Sequence, residues 1–194
     1  MQALEQRILA DGRNLGEGIL KVDSFVNHQV DPALMMACGQ EFARLFARTR
    51  PTKILTAEIS GIAPALTTGL ALNIPIVYAR KTKPVTMPDT VFLTTAPSHT
   101  KKVDVEIMAS PEYLQPGERV LIIDDFLATG QTILALARIA RAAGAQVVGV
   151  GALIEKTFEG GRDALQSLNV PVESLALISD MRGGRIIFAH SHEQ

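Results

Sequence analysis

Two adjacent carboxylates, Asp124 and Asp125, follow an apolar run and precede a turn of small residues, in the segment VLIIDDFLATGQT. The apolar run Val120–Ile123 shows no alternation with polar side chains, which is typical of a strand buried on both faces of a parallel sheet. Ligands of such sheets bind outside the carboxyl ends of the strands. We therefore expect both acids to face a crevice, since burying them unpaired in the core would be costly.

A candidate anion site follows the two acids. Ala128–Gly130 offers small side chains, and Gln131–Ala143 has the apolar spacing of a helix. The free N–H groups and the dipole at a helix amino terminus attract phosphate. Thr129 and Thr132 add hydroxyl donors, and Gly130 can adopt backbone angles that other residues resist. The segment predicts a monophosphate site, although Asp and Thr are also ordinary turn and cap residues that need no ligand.

The order of strand, two acids and Thr-Gly turn resembles the signature of the type I phosphoribosyltransferases. The resemblance implies an α/β fold, in which helices flank a mostly parallel twisted sheet, with a small hood and a flexible loop. It implies that Asp124 and Asp125 bind the ribose hydroxyls of phosphoribosyl pyrophosphate (PRPP). The loop implied to bind the 5-phosphate consists of Ala128, Thr129, Gly130, Gln131 and Thr132.

Strands and helices alternate along the rest of the chain, which predicts a mostly parallel sheet covered by helices. Asp31-Pro32 is a typical helix start, and Gly144 a typical helix end. The predicted strands are 53–57, 74–79, 146–154, 172–178 and 185–188, and the predicted helices are 32–48, 63–72, 131–143 and 162–168.

A second strand end, at Glu58, leads through Ser60 and Gly61 into a helix. Taken alone, such a turn often serves only to cap the helix. The resemblance implies a pyrophosphate-binding loop here, assisted by the cations that follow the next strand, Arg80, Lys81 and Lys83. From the residues alone, these cations fit a solvated basic turn equally well.

The polar stretch 82–115 has the composition of a long loop with two short strands, 91–95 and 103–108. A long polar excursion inside a domain is usually a lid or binding loop. The resemblance implies a mobile loop that closes over the sugar and excludes water. An inert antiparallel hairpin is the alternative. We expect residues 1–194 to form a single domain, with a hood built from its amino-terminal and carboxyl-terminal segments.

The base pocket is expected where Lys156 closes a strand, with Phe158 nearby as a stacking side chain. Family members that accept 6-oxopurines carry a lysine at this strand end. The resemblance extends through Leu20–Gln29 and GRD from Gly161, and it implies xanthine as the base, bound by Leu20, Asn27 and Lys156. From the residues alone, Lys156 is compatible with a snorkelling surface lysine, and Leu20–Gln29 with an extended segment carrying an exposed Asn.

The implied reaction transfers the phosphoribosyl group to the base and releases pyrophosphate. Mg²⁺ would bind mainly through substrate oxygens, so no dedicated metal site is expected. Related enzymes acting on hypoxanthine and guanine, adenine or orotate share the phosphate loop and remain alternatives. A regulator that senses PRPP without turnover is a further one, although 194 residues leave no room for a DNA-binding domain beside the catalytic fold.

Composition narrows the classes of partner. The net charge is −1, with 19 basic and 20 acidic residues, and no basic block suggests nucleic-acid binding. No apolar stretch approaches a membrane span, and the charged amino terminus does not resemble a signal peptide, so we expect a cytoplasmic protein. The single cysteine, Cys38, lies within helical apolar spacing and is predicted to be core. The resemblance implies a homodimer.

Overall fold

The computed structural model describes residues 1–97 and 104–189. The strands are β1 (Arg13–Asn14), β2 (Leu20–Lys21), β3 (Lys53–Ala57), β4 (Ile76–Ala79), β5 (Phe92–Pro97), β6 (Asp104–Ala109), β7 (Arg119–Leu127), β8 (Gln146–Lys156), β9 (Val172–Asp180) and β10 (Ile187–Phe188). The α-helices are α1 (Gln2–Asp11), α2 (Pro32–Phe46), α3 (Ile62–Leu72), α4 (Gln131–Ala142) and α5 (Gly161–Ala164).

A six-stranded sheet in the order β10-β9-β8-β7-β3-β4 forms the centre of the fold. Its strands are parallel except for the antiparallel edge pair of β9 and β10. The predicted α/β fold with a mostly parallel sheet is confirmed. The β3 boundaries agree with the prediction residue for residue, because its apolar run is bounded by a proline turn and a polar loop.

The sheet is buried on both faces, as the unalternated apolar runs predict. In β7, Val120 and Ile122 pack against α4, whereas Leu121 and Ile123 pack on the opposite face with α2 and the amino-terminal segment. Successive strand residues point to opposite faces, so an apolar run fills two cores at once. Cys38 is fully buried in the second core, which confirms its predicted structural role.

The direction of the strand order changes between β3 and β7. From β3 the chain crosses through α3 to β4 on one side, and from β7 it crosses through α4 to β8 on the other. The two helices cover opposite faces of the sheet. Such a switch point opens a crevice at the carboxyl ends of the strands. Both acids and both predicted anion loops belong to β3, β7 and the turns that follow them.

Several predictions about local structure were wrong. The strands predicted at 74–79 and 185–188 begin at Ile76 and Ile187, and the helix predicted at 162–168 is α-helical only over Gly161–Ala164. β7 does not end at Ile123 but continues through both acids to Leu127, because β8 still pairs with it there. The segment after Leu20 is extended for only two residues and then forms a π-helical turn, Asp23–Asn27, which buries Phe25 and Val26. The predicted helix 32–48 ends earlier, and its last turn tightens into a 3₁₀ helix at Ala47–Thr49.

The amino-terminal segment lies beside β9 and the described residues that follow it. Asn14 of the β1–β2 hairpin donates its side-chain amide to the carbonyl of Met181 at 2.5 Å and to that of Arg185 at 2.9 Å. The amino group of Met1 donates to the carbonyl of Leu175. These bonds join the amino-terminal segment to the carboxyl-terminal part of the sheet.

The stretch 82–115 contains an antiparallel hairpin of β5 and β6. Arg138 of α4 holds it by donating to the hydroxyl of Thr94 at 3.0 Å and the carbonyl of Thr95 at 2.7 Å. Ile107 of β6 is buried in the core that α4 covers. The predicted β-prone pieces are therefore strands that pack on the domain. Residues 98–103, including Val103 at the start of the second predicted strand, lie outside the described residues.

No helix in the described part of the chain has the length and apolar character needed to cross a membrane.

Candidate active site

A cavity of about 300 Å³ lies at the switch point between β3 and β7. It contains the acid pair, the predicted phosphate loop and part of the second anion loop. Its walls include Glu58, Ser60, Gly61, Lys81, Asp124, Asp125, Phe126, Ala128, Thr129, Gly130, Gln131 and Thr132. The hairpin contributes Ala96, Val105 and Ile107 to the same walls. Regions that are separate in sequence thus meet in one cavity.

The two carboxylates lie at the floor of this cavity. The backbone N–H of Asp125 donates to Oδ1 of Asp124 at 3.0 Å. Burial raises the pKa of Asp124 well above its usual range, and the neighbouring Asp125 charge adds to this rise, while Lys81 opposes it. Burial also raises the pKa of Asp125, and hydrogen bonds with Asp124 and Ser60 partly offset that rise. The pair is therefore poised to gain from hydroxyl donors or a nearby cation.

The predicted phosphate loop ends at the amino terminus of α4. Gly130 has φ of +78°, a left-handed conformation that favours glycine, and α4 begins at Gln131. No side chain of the described residues caps this helix. Its first N–H groups are thus available to an anion, and Thr129 and Thr132 line the same space.

The second anion loop follows β3 in the same way. Gly61 precedes α3, whose first turn also has no side-chain cap among the residues described. A Cβ on Gly61 would lie 2.2 Å from the Thr56 hydroxyl and 2.9 Å from Oδ1 of Asp124. Glycine is thus the residue that lets this loop approach the acid pair. The buried Thr56 hydroxyl has no hydrogen-bond partner in the described part of the chain.

The three predicted cations occupy different positions. Lys81 lines the cavity and, through its charge, favours the ionised form of Asp124. Arg80 instead pairs with Glu58 at 3.3 Å and lies over the Tyr78 ring, and Lys83 pairs with Asp89 at 3.3 Å. Neither Arg80 nor Lys83 belongs to the cavity wall.

Glu58 joins the turns after β3 and β4. Besides pairing with Arg80, its Oε1 accepts the backbone N–H of Lys81 at 2.6 Å. It also lines the cavity. From the sequence, Glu58 was predicted only as the start of a loop. Its contacts with the turn after β4 depend on the pairing of β3 with β4 in the folded chain.

Lys156 ends β8 as predicted but is not a snorkelling surface lysine. It is 9% exposed, pairs with Glu159 at 3.1 Å, and lies 5.5 Å from the centre of the Phe126 ring. Phe126 lines the cavity, so its ring connects the acid pair to Lys156. The sequence reasoning missed Phe126, although its position directly after two acids was a usable signal.

None of the predicted base contacts, Lys156 included, belongs to the cavity wall. Leu20 is buried in the core that also contains Ile154 and Met181, and Asn27 is exposed at the end of the π-helical turn. Phe158 is 46% exposed and lies close to Gly18 of the amino-terminal hairpin. The Phe158 ring faces a separate space of about 460 Å³ formed with residues 16–18 and 179–184.

The described residues contain no group of three or more His, Cys, Asp or Glu side chains able to hold a metal ion.

Both the fold and the site define a member of one enzyme family. Residues 32–181 match the phosphoribosyltransferase domain family, and the chain belongs to it. The chain is 50% identical to the xanthine phosphoribosyltransferase of Latilactobacillus sakei, covering all of both chains. It is 52% identical to that of Leuconostoc mesenteroides, covering 97% of this chain and all of the relative.

Solved structures support the same fold. Adenine phosphoribosyltransferase from Rhodothermus marinus superposes with a TM-score of 0.71 at 28% identity, covering 91% of this chain and 98% of that one. The architecture is thus shared by family members that act on different bases.

Proposed function

We propose that this protein transfers the 5-phosphoribosyl group of PRPP to xanthine, giving xanthosine 5′-monophosphate (XMP) and pyrophosphate. The observation that carries this proposal is identity of about one half, over the whole chain, to xanthine phosphoribosyltransferases. The cavity supports it, since an acid pair, an uncapped helix terminus and a lysine are brought together there. A place in purine salvage follows.

In this mechanism the protein binds and orients PRPP without a covalent intermediate. Residues 128–132 hold the 5-phosphate at the start of α4, and Asp124 and Asp125 accept hydrogen bonds from the ribose hydroxyls. Ser60, Gly61 and Lys81 face the pyrophosphate. Arg80 and Lys83 were also predicted to do so, and would have to leave their present ion pairs to reach it.

The new bond forms between a purine nitrogen and C1 of the ribose, while the C1–O bond breaks and pyrophosphate leaves with the electron pair. The proton of that purine nitrogen passes to the departing pyrophosphate or to water. Lys81 offsets part of the charge that develops on the leaving group. We propose Mg²⁺, held mainly by PRPP oxygens, as the cofactor that neutralises the remaining charge. The hairpin residues on the cavity wall support a covering role for the loop 82–115, whose closure would exclude water.

Base recognition is assigned to Lys156, Phe126, Leu20 and Asn27. Lys156 donates to the 6-oxo group, and Phe126 offers a ring face on which a purine can stack. The side-chain amide of Asn27 donates to the 2-oxo group that distinguishes xanthine from guanine. Because Asn27 lies outside the present cavity wall, this last contact requires the amino-terminal segment to close over the base.

The assembly proposed is a cytoplasmic homodimer. Exposed apolar side chains on and before α3, including Ile59, Leu66 and Leu70, form a surface that a second copy would cover. Light scattering of the purified protein tests this, with Leu66→Glu expected to yield monomers and Leu9→Glu, on α1, to leave the mass unchanged.

The decisive assay offers PRPP and Mg²⁺ with xanthine, guanine, hypoxanthine, adenine and orotate in separate reactions. Preferred formation of XMP supports the proposal. Preference for another base would retain the reaction but overturn the base assignment. Binding of PRPP without turnover of any base would indicate a sensor instead.

A further inference from the structure

Glu155 is a buried carboxylate in an otherwise apolar stretch of β8, with a side chain only 2% exposed. The guanidinium of Arg162 donates to both of its oxygens, from Nε at 2.9 Å and from Nη2 at 2.6 Å. The hydroxyl of Ser174 on β9 donates to Oε2 at 2.6 Å. Arg162 also donates from Nη1 to the carbonyl of Val172 at 2.8 Å. We call Glu155, Arg162 and Ser174 the carboxylate clamp.

The residue before Arg162 touches the back of the phosphate loop. A Cβ on Gly161 would lie 2.3 Å from the carbonyl oxygen of Ala128 and 2.7 Å from Cδ1 of Leu127. From the other side, a Cβ on Gly130 would lie 3.0 Å from the carbonyl oxygen of Gly161. The two backbone segments are therefore in direct contact, with no room for a side chain between them.

We propose that the carboxylate clamp is a positioning device for the phosphate loop. By fixing Arg162 in a two-pronged hydrogen bond, it holds Gly161 against Ala128 and Gly130 and so sets where the loop amides point. The proposal deepens the function assigned above, because it rests on residues 128–132 binding the sugar phosphate. Arg162 is a positioning residue, since it does not line the cavity.

Stability alone is a weak explanation for this arrangement. An apolar pair of similar volume often stabilises a core at least as well as a buried ion pair does. The ion pair adds orientation. The planar guanidinium group of Arg162 binds the carboxylate in one geometry, and this geometry restricts the position of the Arg162 backbone. A fixed Arg162 backbone is useful here because the neighbouring phosphate loop must be positioned accurately.

The test compares Arg162→Met with Arg44→Met in the full-length protein. Arg44 makes a similar two-pronged bond to Glu41, but on the exposed surface of α2. Ribose 5-phosphate binding is measured by calorimetry, and KM is measured separately for PRPP and for the preferred base. We expect Arg162→Met to weaken ribose 5-phosphate binding and raise the KM for PRPP about tenfold, with the base KM changed less than about twofold. Arg44→Met should change none of these values.

A second variant, Gly161→Ala, disturbs the phosphate loop but keeps the carboxylate clamp. It should weaken binding of ribose 5-phosphate and PRPP, but not of the base, to the same extent. It also tests the proposal if Arg162→Met does not fold. Equal effects on both substrates, or unchanged phosphate affinity in a folded variant, would overturn the inference. Failure of the unmodified protein to bind ribose 5-phosphate would instead overturn the proposed function on which the inference rests.

Discussion

At the scale of single residues, the site places two carboxyl groups in a buried position, where their ionised forms are unfavourable. Asp124 and Asp125 are adjacent, and burial raises the pKa of both. The positive charge of Lys81 opposes the rise in the pKa of Asp124. Buried acids with raised pKa values are typical of functional sites, where a bound ligand supplies the missing interactions. The acid pair is thus expected to lower the stability of the free protein and to serve binding.

Asp124→Asn is expected to stabilise the free protein while abolishing most turnover. The folded pKa of Asp124 is above its ordinary value of 3.8, so the folded state binds the extra proton. The contribution of Asp124 to the free energy of unfolding is therefore most favourable below about pH 3.8. It is lost as the pH rises through the folded pKa. At neutral pH the variant should gain roughly 1 kcal/mol, or about 2–4 °C in Tm.

Thermal melts of both proteins between pH 4 and pH 8 check this expectation. The advantage of the variant should be small at pH 4 and should grow toward neutral pH. A constant difference across this range, or a variant less stable than the natural protein at pH 8, would contradict it. Asp11→Asn, in an exposed pair with Arg7, is the control and should show no such growth.

Lys156→Met separates recognition of the base from recognition of the sugar. Methionine keeps the buried stem but loses the ammonium that lies near the Phe126 ring. Loss of a charged hydrogen-bond donor should raise the xanthine KM about tenfold or more, with the KM for PRPP nearly unchanged. Steady-state kinetics with each substrate varied in turn measures both values. Equal increases in both would argue against a separate base-binding role.

At the scale of elements, the site is a pair of strand-turn-helix units facing each other. β3 leads through Gly61 into α3, and β7 leads through Gly130 into α4. Each unit presents an uncapped helix start to the same cavity. Two such termini suit a ligand with phosphates at both ends.

Gly61→Ala tests how closely the first unit must approach the second. The added Cβ would lie 2.2 Å from the Thr56 hydroxyl, so the loop must shift. We expect a KM for PRPP raised by about one to two orders of magnitude, because the shift moves the loop proposed to bind pyrophosphate away from Asp124. The control is Leu9→Ala on the exposed side of α1, which should keep normal kinetics. Normal kinetics in folded Gly61→Ala would show that the close approach is unimportant.

At the scale of the whole molecule, the switch point determines where all the polar groups can meet. Apolar side chains from both faces fill the sheet, and the cavity lies where β3 and β7 diverge. The β5–β6 hairpin contributes to the wall of the same cavity. Ligand binding should therefore tighten contacts between parts of the chain that are far apart in sequence.

Saturating ribose 5-phosphate should raise Tm without any base present. At a ligand concentration of 100 Kd the stabilisation is about 2.7 kcal/mol, which corresponds to roughly 5–10 °C for a chain of this size. Differential scanning fluorimetry with a ligand titration measures it. Ribose at the same concentration is the control and should have little effect, since the loop is proposed to recognise the phosphate. An equal shift with ribose would argue against that role.

The sequence by itself determined what local patterns can encode. Unalternated apolar runs predicted the buried parallel strands, and a helix after a Thr-Gly turn predicted the start of α4 within the same segment as the acids. The family was visible for the same reason, since strand, acids and loop are contiguous. Cys38 was placed in the core by helical spacing alone.

Tertiary structure decided what depends on distant neighbours. Pairing with β8 extended β7 through the acids, and packing of Phe25 turned an expected extended segment into a π-helical turn. Lys81 lines the cavity, whereas Arg80 and Lys83 form ion pairs with Glu58 and Asp89. The contacts of Glu58 and of the carboxylate clamp could not be predicted for the same physical reason. A side chain's partners are set by which strands lie side by side, and no local sequence pattern records that order.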